Sequence, residues 1–441
     1  MNRSAATTID TAELRVGMFV HLDLGWMSHP FPLSSFRISD AQQIETIRAL
    51  GLSRVRWSPE DSDPTLCAPL APPPEAPHAV PAPATQPGDA ERKPTIPPRP
   101  RDPAASALAA QRASVERVER QYAEAARGWR QSMDLIAHEP VSAGQRMAAL
   151  AQAMADKMLG ARDLSIRVLA ETPGDRASHA LNVSVIAMLM GKVCGLSPAD
   201  LQDLGLGALT HDIGKIELPH RVHRVDPRFS SAETALYREH VAHGVALGRR
   251  MGLSPGALLV IAQHHEHCDG TGFPQGLDCN RMSMGARMVA LVNRYDNLCH
   301  PAPGVPAMTP HEALSLLFAQ GQGRYDAAIL STFVRMMGVY PPGSVVQLTD
   351  DRYAVVESVN AARPLKPKVM VYDPRVPRDH ALLLDLTTDP HLGIRRALGA
   401  AELPRAAGDY LAPRARMCWY FESGERADEA DEDRDAGATR H

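Results

Sequence analysis

The chain has 441 residues, 44% of them apolar and 22% charged, and a net charge of -4. That length exceeds one compact domain and predicts roughly two to three folded units with room for a sizeable core. The mild negative charge argues against a nucleic-acid polymer as partner. No run approaches the roughly 20 apolar residues of a membrane helix and the N-terminus lacks a signal-peptide stretch, so a cytoplasmic protein without membrane insertion is expected.

Leu14 to Leu24 is β-rich with Gly17 as a bend, Asp40 is placed to cap a helix running to about Leu50, and Val55 to Trp57 reads as a returning strand. Residues 1–61 are thus expected to form a small α/β module. Across 62–103 prolines such as Pro72, Pro77, Pro87 and Pro97 interrupt Ala and charged residues, which predicts a disordered linker. Residues 104–160 turn Ala-, Arg- and Glu-rich and read as a helical connector of one or two long helices. Such a helix pairs with a second copy in a homodimer or packs on its own chain, and both remain open.

The stretch 161–340 reads as all-helical, with start signals at Ser197, Ser230 and Thr309. GSVVQL, YAVVESV, KVMVYD and ALLLDL then predict a small β-rich C-terminal module over 341–421, and the charged 422–441 a disordered tail. The fold class expected is multidomain and mainly α, with small α/β and β modules at the two ends. The six cysteines, Cys67, Cys194, Cys268, Cys279, Cys299 and Cys418, form no CxxC pair, which predicts reduced thiols.

Chemistry concentrates around Thr210-His211-Asp212-Ile213-Gly214-Lys215, at the end of an apolar run. An imidazole and a carboxylate side by side can both reach a metal where an apolar helix surface excludes water, and Lys215, one turn on, can meet a phosphate oxygen. Alone, an HD pair is weak evidence and is more often a helix-end His with a capping Asp. His179, His240 and the pair His264-His265 before Glu266 add three further His-bearing helical elements, and that number of imidazoles on apolar helices points to metal ligation. Mixed His and carboxylate donors suit two divalent ions, iron or manganese before others, which together can clamp a phosphodiester for in-line attack.

The ordered series His179, His211 to Lys215, His240 with Gly244, and His264-His265-Glu266 followed by Asp269-Gly270-Thr271-Gly272-Phe273-Pro274 resembles the HD-GYP domain over about Asp175 to Asn297. The resemblance implies an all-helical HD core and a di- or trinuclear metal centre. It implies hydrolysis of the bacterial second messenger cyclic di-GMP to pGpG or GMP. His179, His211, Asp212, His240, His264 and His265 fall on the family's ligands, with Asp212 as the bridge. Lys215 falls on its phosphate-contacting lysine, while Asp269 and Gly272 fall in its signature loop as substrate-binding candidates. Asp175 matches a position that supports a third metal in some members, or it caps its helix. The N-terminal LRVGMFV and GWMSHPFPLSSFRI resemble an uncharacterised module that often precedes HD-GYP domains.

Three positions depart from the pattern. Phe273 replaces the signature tyrosine, and Asn293 stands where the family has a metal-binding aspartate, with Asp296 retained three residues on. Cys299-His300-Pro301-Ala302-Pro303-Gly304 lacks the cations of an Arg-Pro-Tyr-Arg-like segment, which leaves Lys215, the metals and Arg281, Arg287 or Arg294 to hold the substrate. The expected function is a metal-dependent cyclic di-GMP phosphodiesterase. The alternative is a catalytically impaired relative that binds metal or nucleotide and acts through a signalling-protein partner. A different HD phosphohydrolase, acting on a nucleotide or phosphomonoester, is the third reading, against which the Gly-rich loop argues.

Overall fold

The computed structural model describes residues 7–24, 29, 31, 35–63, 103–161, 163–170, 177–411 and 417–423. Most of the expected linker, the tail beyond Ser423, Asp175 and Cys67 lie outside the described residues. The chain divides into two compact units, residues 1–24 with 33–109 and residues 25–32 with 110–441.

In the first unit β1 (Thr7–Asp10), β2 (Phe19–His21), β3 (Ser35–Arg37) and β4 (Arg54–Ser58) form an antiparallel sheet in the order β1-β4-β2-β3. The strand expected across Leu14 to Leu24 shortens to β2, because the chain turns at Arg15 to Met18 with Gly17 at φ 96°. The helix α1 (Ala41–Ala49) starts where Asp40 accepts from the Gln43 N–H, and buries Ile44 and Ile47.

In the second unit α2 (Pro103–Leu135), which belongs to it from Ala110 on, and α3 (Pro140–Gly160) lead into β5 (Leu164–Ala170), α4 (Ala177–Val193), α5 (Pro198–Thr210), α6 (Ser231–Arg250) and α7 (Pro255–Gln263). Then follow α8 (Met284–Cys299), α9 (Pro310–Gln320) and α10 (Ala327–Met337). Ser197 caps α5, and Ser230 with Glu233 and Thr309 with Glu312 close reciprocal capping boxes on α6 and α9. The helix α4 is apolar all round and buried on nearly every side, so it is the axis of the core and not a surface helix. Trp129 of α2 and Met147, Met154 and Met158 of α3 join the same apolar cluster as α4, α5 and α8.

One element departs from the all-helical reading of 161–340. In β5 the buried Leu164, Ile166 and Val168 alternate with Ser165 and Arg167, a period of two that suits a strand. The sheet it joins comes from the C-terminal region, β6 (Val345–Leu348), β7 (Tyr353–Asn360), β8 (Lys368–Val371), β9 (Leu384–Asp385) and β10 (Ile394–Leu398). A short helix, α11 (Arg405–Leu411), precedes the last strand, β11 (Met417–Ser423). All pairings are antiparallel, in the order β10-β6-β7-β5-β11 with β8 and β9 branching from β7. Arg167, buried in β5, pairs with Glu422 of β11 at 2.8 Å. No described helix is long and apolar enough to cross a membrane.

Candidate metal centre

Helix ends place the imidazoles. The last four carbonyls of a helix have no partner inside it, and side chains that follow can satisfy them. His211, just past α5, donates Nδ1–H to the Ala208 carbonyl at 2.7 Å, and His264, just past α7, donates to Ile261 at 2.8 Å. Within α6, His240 donates to the Tyr237 carbonyl at 2.5 Å. A carbonyl only accepts, so each ring carries its proton on Nδ1 and presents an unprotonated Nε2. His179, in the first turn of α4, directs Nδ1 to Asp296 Oδ2 at 2.6 Å and turns Nε2 toward His211 Nε2 at 3.1 Å.

These nitrogens converge on Asp212. Its Oδ2 lies 3.4 Å from His211 Nε2 and 3.5 Å from His179 Nε2, while Oδ1 lies 3.5 Å from His240 Nε2 and 3.7 Å from His264 Nε2. Two donor sets therefore share one carboxylate: His179, His211 and Asp212 on one side, and Asp212, His240, His264 and His265 on the other, each with its ligand atoms within 4.8 Å of one another. His265 stacks on Phe273, centroids 4.5 Å apart, and its Nε2 is 3.2 Å from the Tyr237 hydroxyl. The ring of Phe273 does this work, so the missing hydroxyl costs the stack nothing.

The donors fit a divalent cation on observations independent of family. Asp212 Oδ1 is buried without a hydrogen-bond partner, and His240 Nε2 faces His264 Nε2 at 3.3 Å. An orphaned buried carboxylate oxygen beside two converging imidazole nitrogens leaves a position that a cation satisfies. Burial lowers His211 to about 4 and His240 to about 3, and pushes His265 well below the usual range, so all three are neutral donors at neutral pH. Burial opposes the charge of His179 too, yet Asp212 and Asp296 outweigh it and raise His179 to about 9. Asp212 stays ionised because Lys215, ahead of His211, overcomes its burial. Lys215 Nζ is 2.5 Å from Oδ2.

Close packing holds the two halves together. A Cβ on Gly214 would lie 1.9 Å from the His240 carbonyl oxygen and 2.4 Å from the Gly244 nitrogen, so only glycine lets the turn at Ile213–Glu217 rest on α6. Behind His179, Asp296 Oδ1 accepts from Asn182 Nδ2 at 2.8 Å and from His300 Nδ1 at 3.0 Å. His300 Nε2 accepts the Met417 N–H and Asn182 Oδ1 the Trp419 N–H, so the backbone of β11 backs this shell. Neither His300 nor β11 was readable as part of the site from sequence.

Other expected positions have bonding or packing partners of their own. Asn293 is buried and its Oδ1 accepts from Asn297 Nδ2 at 2.6 Å. Asp269 caps its own turn through Thr271, and Gly272 packs on the backbone of Glu266 and His267. Glu266, fully buried, accepts the N–H groups of Gln275 and Leu277 and so holds the Gly-rich loop.

A cavity of about 680 Å³ opens beside Asp212, His179 and Lys215. Trp129 and Met133 of α2, Leu209, Ile213 and Ile216 give it apolar walls, and His220, Arg221, His223 and Arg224 line its other side. Arg281, Arg287 and Arg294 do not line it; Arg287 is held by Asp326 at 2.6 Å. The Lys and Arg side chains that do line it are Lys215 and, on and after the turn that follows Pro219, Arg221 and Arg224.

Residues 132–329 match the family model described as HD domain, and residues 6–145 match Domain of unknown function (DUF3391). A cyclic di-GMP phosphodiesterase of Pseudomonas aeruginosa is 30% identical over 196 residues, 44% of this chain and 47% of that protein. A cyclic di-GMP phosphodiesterase response regulator of Xanthomonas campestris is 26% identical over 47% of this chain and 55% of its own length. A 3'3'-cGAMP-specific phosphodiesterase of Vibrio cholerae is 27% identical over 37% of this chain and 36% of that protein. The chain spans about half the length of the first two relatives. A solved HDG"Y"P protein of Bdellovibrio bacteriovorus aligns with 74% of this chain and 97% of that chain at 16% identity and a TM-score of 0.39. The chain therefore carries an HD domain over residues 132–329, behind a DUF3391 module.

Proposed function

We propose that this protein is a metal-dependent phosphodiesterase that hydrolyses cyclic di-GMP to pGpG or GMP in the cytoplasm. The observation that carries the reading is Asp212, whose two oxygens face two separate sets of imidazole nitrogens on the floor of a cavity large enough for a nucleotide. His179, His211 and Asp212 would hold one divalent ion and Asp212, His240, His264 and His265 a second, with iron or manganese favoured by the mixed nitrogen and oxygen donors. Bound there, the ions supply Lewis acidity and an activated water for in-line attack on a phosphodiester.

The chain's own residues do the rest. Lys215 pairs with Asp212 Oδ2 and lines the same cavity, where its ammonium would serve a phosphate oxygen of the substrate. Asp296, fixed by Asn182 and His300, keeps the ring of His179 in register. Trp129, Met133 and Ile213 keep water from the reacting end. Asp269 and Gly272 serve the loop that seats His265 and are left out of the substrate contacts. Asn293 acts through Asn297, which lines the cavity.

Anaerobically purified protein should carry close to two iron or manganese ions per chain and turn over cyclic di-GMP. Parallel assays on 3'3'-cGAMP define the base preference. His211→Ala and Asp212→Ala should lose both metal and turnover. Fully metal-loaded protein that hydrolyses neither dinucleotide defeats the reading.

A further inference from the structure

The cavity wall carries three Lys or Arg side chains, Lys215, Arg221 and Arg224, and three acids, Asp212, Asp226 and Asp296. The acids have partners. Asp212 belongs to the metal centre, Asp296 is saturated by His179, Asn182 and His300, and Asp226 is held by Arg228 through both oxygens at 2.9 and 2.6 Å. Lys215 is engaged with Asp212. Arg224 has no carboxylate partner among the described residues, and Arg221 is only loosely paired, its Nε 3.9 Å from Glu233 Oε1 at an exposed position and too far for a hydrogen bond.

Arg224 is more than a surface cation. Its Nη1 donates to the carbonyls of His300 at 2.9 Å and Pro301 at 3.2 Å, so the half-buried guanidinium is anchored to the backbone of a segment that itself offers no Lys or Arg. Both acceptors fall on Nη1, which leaves Nη2 and Nε without a protein acceptor among the described residues. A planar guanidinium fixed on one edge presents the other as a ready fork for phosphate oxygens. Arg221 sits on the turn His220–Val222, between His220 and His223, whose rings stack at 4.8 Å on the same wall.

We propose that Arg221 and Arg224 form an anion subsite for the phosphate of a cyclic dinucleotide that does not lie at the metal centre. This rests on the phosphodiesterase reading above and deepens it. A cyclic dinucleotide has two phosphodiesters, and only one can occupy the reacting position beside Asp212 and Lys215. The other falls along the cavity, where these arginines are the charge at hand. A diester with a single phosphate has no use for them.

The test compares cyclic di-GMP with bis(p-nitrophenyl) phosphate on the full chain. Calorimetric binding of cyclic di-GMP to metal-free protein at two salt concentrations serves as a readout independent of turnover. Arg221→Ala should weaken binding about 10-fold and Arg221→Ala with Arg224→Ala about 100-fold, with a shallower salt dependence. Arg221→Lys should recover most of the loss, and Arg294→Ala, outside the cavity, should match the parent. In the metal-loaded enzyme the KM for cyclic di-GMP should rise in step, at least tenfold more than any loss on the small diester.

Variants that bind like the parent, or that lose both substrates equally, overturn the subsite while parental turnover leaves the phosphodiesterase reading standing. A parent protein that cleaves the small diester yet neither binds nor cleaves cyclic di-GMP overturns the functional reading and the subsite with it. Since Arg224→Ala also frees two carbonyls, Arg221→Ala alone decides the case if the double variant melts early.

Discussion

Gly214→Ala is the smallest change that should dismantle the metal centre. The added methyl would sit 1.9 Å from the His240 carbonyl oxygen, some 1.5 Å inside ordinary contact, and the neighbour it meets is helix backbone with no rotamer to offer. Relief requires α6 to retreat from the turn at Ile213–Glu217 by about that distance, and α6 carries His240. Metal–nitrogen distances tolerate only about 0.2 Å, so His240 should leave the ligand set while His179 and His211 stay in place. Overpacking of this kind costs about 1–3 kcal/mol. The expected result is metal content reduced by about half, measured by elemental analysis, with a lower but cooperative thermal transition. Gly244→Ala is the control. Its Cβ would meet Ile261 Cγ2 at 3.0 Å and the Gly214 nitrogen at 3.5 Å, which a side-chain shift can absorb. Parental metal content in Gly214→Ala would refute the claim that this contact registers the two halves of the site.

Three further outcomes follow from groups outside the ligand set. His300→Phe leaves the Met417 N–H without an acceptor and removes one partner of Asp296; metal affinity should fall about 10- to 100-fold. In cobalt-substituted protein the visible bands should shift, and an unshifted spectrum would reduce His300 to packing. Glu266→Gln replaces one of the two carboxylate oxygens that accept Gln275 and Leu277 by an amide donor, at about 1–3 kcal/mol, read as a lower melting temperature and faster proteolysis in the Gly-rich loop. Lys157, fully buried with Nζ on the carbonyls of His29 and Phe31, is lowered to about 7 by that burial. Its folded form is neutral above about pH 7, whereas the unfolded chain keeps the proton to about 10.5. Unfolding stability should therefore rise with pH across that window, by up to about 1.4 kcal/mol per unit, and be flat below it. Urea midpoints at pH 7, 8 and 9 should lose this component in Lys157→Met; an unchanged slope would contradict it.

What could be read from sequence was the part of the site that is built locally. His211 and His264 close helix ends and bond three residues back, so the apolar run, the stop and the imidazole sit together in the text of the chain. The same holds for the caps at Ser197, Ser230 and Thr309. Features made by distant pairings were not legible. Strand β5 lies between helices in sequence but finds its partners near residues 360 and 420, so the stretch around it read as helical. Which arginines line the cavity was hidden for the same reason: whether one on α8 faces it depends on how α8 rotates against α4, and charge alone does not report that rotation. Trp129 enters the site from α2 by donating to the Leu209 carbonyl, 80 residues away.

The use of helix carbonyls to aim His211, His240 and His264 has an evolutionary consequence. An orienting carboxylate can be lost by one substitution, but a backbone carbonyl cannot be mutated away. The aim of these three rings survives almost any side-chain replacement around them and fails only when the helix itself loosens. Drift should therefore erode this centre first at His179 and His265, the rings steered by side chains, and a descendant that has lost Asp296 would keep His211, His240 and His264 aimed at Asp212.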